Sequence, residues 1–177
     1  MPIFARTKLL LQEDCFDFAG EPLLHIDYEG PNPHLAYNKI KESLWTVFGV
    51  KETERVQERD YKWNKKGDKE DFSVSWQISK DMDRFSYLYL KVKMKGFIEK
   101  SGGTKEGKIH VEVAGVLRTE YPQDNIWERS IFYEIVRTIW HKVFYQYQRE
   151  RYIDKCREIM TKFTNEMKGF FNLIPKE

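Results

Sequence analysis

The chain has 177 residues, 41% of them hydrophobic and 33% charged. That is enough apolar side chain to offset the entropy of ordering a domain-sized chain, and it excludes a disordered or fibrous protein. Lys and Arg total 30 against 28 Asp and Glu, so a net charge of +2 gives no general pull toward nucleic acid or a membrane surface.

The N-terminal stretch has no long apolar core and no small-residue cleavage site, and no run approaches 18 apolar residues. A cytoplasmic protein with no membrane span is the expectation. Cys15 and Cys156 sit at opposite ends with no CxxC or Cys/His spacing; two free, partly buried thiols are expected rather than a disulfide.

In chain order, residues 3–28 read as strand material. Ile3, Ala5, Thr7, Leu9 and Leu11 alternate with polar or bulky neighbours, a turn falls at Ala19-Gly20-Glu21-Pro22, and Leu24 to Tyr28 alternates again. Asn32 and Pro33 predict a helix start, with Asn32 as N-cap. Ala36, Ile40, Leu44, Val47 and Phe48 keep helical spacing, and Gly49 suits a left-handed ending. Residues 54–64 are moderately strand-like, followed by a turn from Asn64 to Asp68. Phe72, Val74, Trp76 and Ile78 alternate with Ser73, Ser75, Gln77 and Ser79, the mark of a half-buried strand. From Phe85 to Ile98 a longer strand puts Leu88, Leu90, Val92 and Met94 on one face. Gly102-Gly103 lies in a hairpin loop, and Ile109, Val111, Val113, Gly115 and Leu117 form the returning strand.

After Tyr121 to Asn125 the pattern turns helical to about residue 172, with Asp124 or Asn125 as cap. Two apolar stripes occur out of register: Phe132, Val136, Ile139 and Val143, then Cys156, Met160, Phe163, Met167, Phe170 and Ile174. A polar stretch from Gln146 to Arg151 separates them, so the helix changes partner there or bends.

This order predicts an α+β fold: an antiparallel, curved sheet, one short helix, and a long C-terminal helix packed on the sheet's apolar face. Residues 1–177 make a single domain, with 152–177 as a possible helical extension. The first stripe is expected to cover the sheet. The second, repeating at heptad spacing, is expected to be buried either by folding back on the chain or, slightly favoured, against another chain, a protein partner or a second copy with Met160, Phe163, Met167 and Phe170 as a possible homodimer seam.

The order of elements over roughly residues 3–145 resembles the helix-grip, or START-like (SRPBCC), superfamily, though no motif is shared. The resemblance implies a curved sheet gripping a helix around an apolar cavity. Residues placed to line that space are Trp76, Leu88, Leu90, Val92, Val111, Val113, Ile139 and Trp140. The expected function is therefore a non-enzymatic binding protein for a small apolar ligand.

The alternative uses the other face of the long strand. Tyr87, Tyr89, Lys91, Lys93 and Lys95 alternate outward, aromatics followed by cations, a chemistry that can stack bases and bind phosphates of RNA or meet a protein complex. Against catalysis stands the lack of a nucleophile elbow, HExxH, GxGxxG or P-loop, and no cofactor is expected. His25, His34, His110 and His141 show no metal-ligand spacing. His25 and Asp27, with Asp14 and Asp17, are read as polar edge-strand positions rather than a site.

Overall fold

The computed structural model describes residues 10–16, 23–50, 55–101, 104–121, 125 and 127–173. Ile3 to Leu9, the turn at 19–22, Asp17, Gly102-Gly103, Asp124 and Ile174 lie outside the described residues.

Six antiparallel strands form one open sheet: β1 (Leu10–Asp14), β2 (Leu23–Pro31), β3 (Val56–Lys66), β4 (Lys69–Asp81), β5 (Ser86–Ser101) and β6 (Thr104–Glu120). The order is β1-β6-β5-β4-β3, and β2 also pairs with β6. β1 takes Val116–Glu120 and β2 takes Glu106–Ala114, so the two share one edge of β6 end to end. The hairpins β3-β4, β4-β5 and β5-β6 need only local connections, which is why alternation in the sequence found them.

The alternation also set the faces correctly. Phe72, Val74, Trp76 and Ile78 of β4, Leu88, Leu90, Val92 and Met94 of β5, and Ile109, Val111, Val113 and Leu117 of β6 are all buried on one side. That side is covered by two helices, α1 (Leu35–Thr46) and α3 (Gln146–Leu173). α1 contributes Ala36, Ile40 and Leu44 to the core, with Val47 and Phe48 just beyond its end. Gly49 takes a φ of 60° and closes α1 as expected. Its start differs: His34 is the N-cap without a side-chain bond, and Asn32 instead adopts a φ of 52° in the turn before it.

The C-terminal helical region has three parts. A 3-10 turn at Trp127–Arg129 leads into α2 (Ile131–Trp140), a π-helical turn follows at His141–Tyr145, and α3 continues from there. Asn125 does not cap this helix. Ser130 is the N-cap and its hydroxyl accepts from the Tyr133 N–H at 3.2 Å.

The two apolar stripes are used in the reverse of the expected way. α3 covers the sheet: Ile153, Cys156, Met160, Phe163, Met167 and Phe171 are buried in the core, and Phe170 packs against it. Phe163 meets Phe48 at 5.2 Å between rings, and Phe171 stacks on Tyr28 at 4.6 Å. The seam assigned to a second chain is therefore intramolecular. Steps of three and four keep one face of a helix aligned with a flat surface over many turns; the first stripe has the same steps, so spacing alone did not decide which stripe meets the sheet. α2 leaves Phe132, Val136, Ile139 and Val143 exposed.

The cysteines also correct the expectation: Cys15 and Cys156 form a disulfide that ties the end of β1 to α3 across 141 residues of sequence. Nearby, Arg157 donates from Nε to the Cys15 carbonyl at 2.8 Å. An open antiparallel sheet with a short helix and a long C-terminal helix is compatible with the helix-grip order.

Candidate functional site

The segment running from the 3-10 turn through α2 and the π-turn to the first turn of α3, whose outer side is called the α2 face below, is amphipathic in the inverted sense. Outward stand Trp127, Ile131, Phe132, Ile135, Val136, Ile139, Trp140, Val143, Phe144 and Tyr147, all large, apolar or aromatic, and exposed, Trp127 by 73% and Phe132 by 67%. Inward stand Tyr133, Arg137, His141, Tyr145 and Arg149, at strict four-residue intervals. An ideal α-helix turns 400° in four residues, so such a row would wind away from its partner by about 40° per step. The π-turn at His141–Tyr145 takes more residues per turn and holds the inward row in place.

The inward side is tied by polar contacts rather than apolar packing. Asp83, in the β4-β5 turn, accepts the backbone N–H groups of Phe85 and Ser86, each at 2.8 Å. It also accepts the hydroxyls of Tyr145 at 2.8 Å and Tyr152 at 3.0 Å. Because Tyr145 spends its proton on Asp83, Ser86 must donate to Tyr145 at 2.8 Å, and Thr119 in turn to Ser86 at 2.6 Å. Burial raises the Asp83 pKa, but the four donors outweigh it and hold the carboxyl below its ordinary value. Burial pushes the Tyr145 hydroxyl up.

One turn earlier, Tyr121 and His141 Nδ1 are 2.8 Å apart. Burial pushes Tyr121 up to about 12, so the phenol keeps its proton, and the His141 tautomer sets which of the two groups donates. Burial, then the Arg149 charge, hold His141 below its ordinary pKa. Arg137 is 6% exposed; it reaches Glu134 at 2.5 Å and lies over the Tyr121 ring at 5.7 Å. Arg149 pairs with Glu13 at 3.2 Å. Buried guanidiniums are costly to strip of such partners, so this side of α2 is fixed inward and the apolar side is fixed outward.

The residues expected to line a cavity are divided. Trp76, Leu88, Leu90, Val92, Val111 and Val113 are fully buried in the core beneath the two covering helices, Trp76 beside Tyr37 of α1, whereas Ile139 and Trp140 are 56% and 48% exposed on α2. At the centre of the sheet–helix contact, a Cβ built on Gly115 would stand 2.5 Å from Met160 Sδ and 3.0 Å from both Cys156 Sγ and Leu90 Cδ2. The backbone of β6 and α3 are in direct contact there.

The five residues of the proposed RNA face do share the outer side of β5, but the charges around them are paired. Lys93 reaches Glu112 at 3.4 Å, Tyr87 donates to Glu120 at 2.9 Å, and Arg118 lies over the Tyr89 ring at 4.8 Å. Lys91 and Lys95 flank this pairing opposite Ala114 and His110. Of the described edge-strand residues, His25 and Asp27 both meet His110, and Asp14 stands apart. Asp27 meets His110 at 2.5 Å and His25 stacks on His110 at 5.3 Å. Asp14 pairs with Val116, six residues further along β6, roughly 20 Å away. Among the described residues no group of three or more His, Cys, Asp or Glu is arranged to hold a metal ion. No helix among the described residues is long and apolar enough to cross a membrane.

The sequence reading missed α2 as a surface. The signal was the width: beside the stripe Phe132, Val136, Ile139 and Val143, the residues Ile131, Ile135, Trp140 and Phe144 are also apolar, more surface than one sheet-facing stripe needs. No protein-family model and no curated protein matches the chain. A solved structure titled "Crystal structure of Ara h 8.0201" is similar over 84% of this chain and 96% of that one, at 11% identity and a TM-score of 0.22, a superposition too poor to inform fold or function.

Proposed function

We propose that the chain is a non-enzymatic binding protein and that its binding surface is the outward face of α2, which docks another protein. The carrying observation is the ten large apolar or aromatic side chains left exposed on one contiguous helical face. Contiguous apolar patches of this size are rare on monomeric proteins and mark interaction sites.

The chemistry favours protein over lipid. Helices that lie on membranes carry cations along the polar side. Here two arginines of that side, Arg137 and Arg149, are buried beneath the helix, and the exposed or half-buried charges flanking the apolar face have both signs: Glu128, Glu134, Lys142, Glu150 and Arg151. A small apolar ligand between sheet and α3 has less support, because Met160 and Cys156 already press on Gly115 at the middle of that interface. RNA on the outer face has less support, because Lys93 is paired with Glu112 and Arg118 covers Tyr89.

The test places a photo-crosslinking amino acid at Ile139 and, as a control, at Glu158 on the exposed side of α3. A discrete protein adduct from position 139 and none from 158 is expected. The absence of any adduct at 139, or adducts to lipid alone, would remove the reading.

A further inference from the structure

We infer that the occupant of the α2 face is a second copy of this chain, an inference that rests on reading α2 as a protein-docking surface. The first argument is area. At about 150–250 Å² for a whole aromatic side chain and somewhat less for an aliphatic one, the exposed fractions of these ten residues amount to roughly 1,000 Å². A stable interface takes about 800 Å² from each partner. The face is large enough to hold a dimer on its own.

The second argument is self-complementarity. An isologous dimer places the same surface on both sides of a two-fold axis. With the two-fold near Arg137–Thr138, the pairs nearest the axis are Ile135 with Ile139 and Val136 with Trp140, so apolar side chains meet apolar ones at the centre of the contact.

The third argument is geometric. Residues four apart form the i±4 ridges of a helix, and two such ridges interdigitate at a crossing angle of about −50°, the commonest helix packing class. Ile131-Ile135-Ile139 and Phe132-Val136-Trp140 are two adjacent ridges with a groove between them. These ridges give α2 a surface with which a copy of itself can interdigitate. The flanking charges have both signs, so an identical surface is not repelled.

Sedimentation velocity of the full chain, from low to about 50 µM to reach a weak dimer, tests this. The expected species is twice the 21.4 kDa chain mass. Ile135→Asp with Ile139→Asp should weaken association by roughly a hundredfold or more, since charges would be buried at the centre of the contact. These positions lie outside the core, so the variant's circular dichroism should match wild type, and its unfolding midpoint should match that of wild type measured at a concentration low enough for the dimer to dissociate; Lys162→Ala on α3 should leave association unchanged. A wild-type monomer across the range overturns the inference, as does a dimer that survives the double substitution. The two proposals separate cleanly. A monomer whose Ile139 crosslinker captures a different protein sinks the homodimer and keeps the docking surface; a monomer with no adduct, or with an adduct only to its own residues, sinks both.

Discussion

Gly115 sits on β6 where α3 presses on the sheet, and replacing it by alanine tests whether that interface is solid. The new Cβ would stand 2.5 Å from Met160 Sδ and 3.0 Å from Cys156 Sγ and Leu90 Cδ2, where ordinary contact begins near 3.4 Å. Cys156 is held by its disulfide to Cys15, and Leu90 is fully buried, so neither has room to retreat. Met160 must move by about an ångström, or α3 must lift. Overpacking of this kind costs about 1–3 kcal/mol. Loss of glycine's freedom in the unfolded chain returns about 0.4–1 kcal/mol. A net destabilisation of about 1–2 kcal/mol is expected for Gly115→Ala in urea unfolding, with unchanged m-value. Met160→Ala should make the same substitution milder, with a coupling of about 0.5 kcal/mol or more in a double-mutant cycle. If Gly115→Ala is neutral or stabilising, or the cycle shows no coupling, then space separates sheet from helix and the small-ligand reading regains its footing.

Three further outcomes follow from the same coordinates. Trp76, buried between β4 and α1 with Nε1 3.3 Å from Glu58, should cost about 3–5 kcal/mol when changed to alanine, and a loss under about 1 kcal/mol would mean that it fills no core. Thiol titration of the denatured, unreduced protein should find no free cysteine, and Cys156→Ser should cost about 2–5 kcal/mol for a cross-link closing so long a loop; two reactive thiols would refute the pairing. On acidification, His141, held low by burial and then by Arg149, binds its proton less readily folded than unfolded, so its contribution is complete above about pH 6.5 and is lost as pH falls through its folded pKa. His34, lowered by burial and then by Lys105, acts in the same direction, so His141→Gln should flatten the slope of urea midpoint between about pH 7 and 5 without abolishing it; an unchanged slope would mean that His141 is not constrained by Tyr121 and Arg149.

The strands were legible because each imposes a period of two and joins its neighbour locally. Phe72 to Ile78 and Leu88 to Met94 were placed on the correct face from alternation alone, and register did the rest. The helix caps were less legible. Asn32 and Ser130 are both good N-cap residues, but only Ser130 receives the bond, because Asn32 is needed in the left-handed turn before α1. The disulfide was not legible at all. Cys15 and Cys156 meet only because β1 lies on β6 and α3 crosses the same region, a long-range fact absent from either local sequence.

The two apolar stripes were both visible in the sequence and were assigned to the wrong partners, and the width of the apolar surface around each explains the error. A stripe at steps of three and four stays on one side of a helix, so Ile153, Cys156, Met160, Phe163, Met167 and Phe171 can follow a sheet for the length of α3. Heptad-like spacing therefore does not by itself imply a second chain; a broad sheet face satisfies it as well. Pairs recurring every four residues spread over half of a helix, as Ile131-Phe132 through Val143-Phe144 do, and no flat surface can cover that width. What remained inward on α2 was the polar row of Arg137, His141, Tyr145 and Arg149, kept in line by the π-turn and matched by Glu134, Tyr121, Asp83 and Glu13. The contacts of His141, Tyr145 and Arg149 with Tyr121, Asp83 and Glu13 would be lost if this segment rolled over to bury its apolar side, whereas the Arg137–Glu134 pair lies within α2 and moves with it. The exposed face is thus held open by the polar anchoring beneath it, and the shape that could cover it is one with ridges of the same pitch.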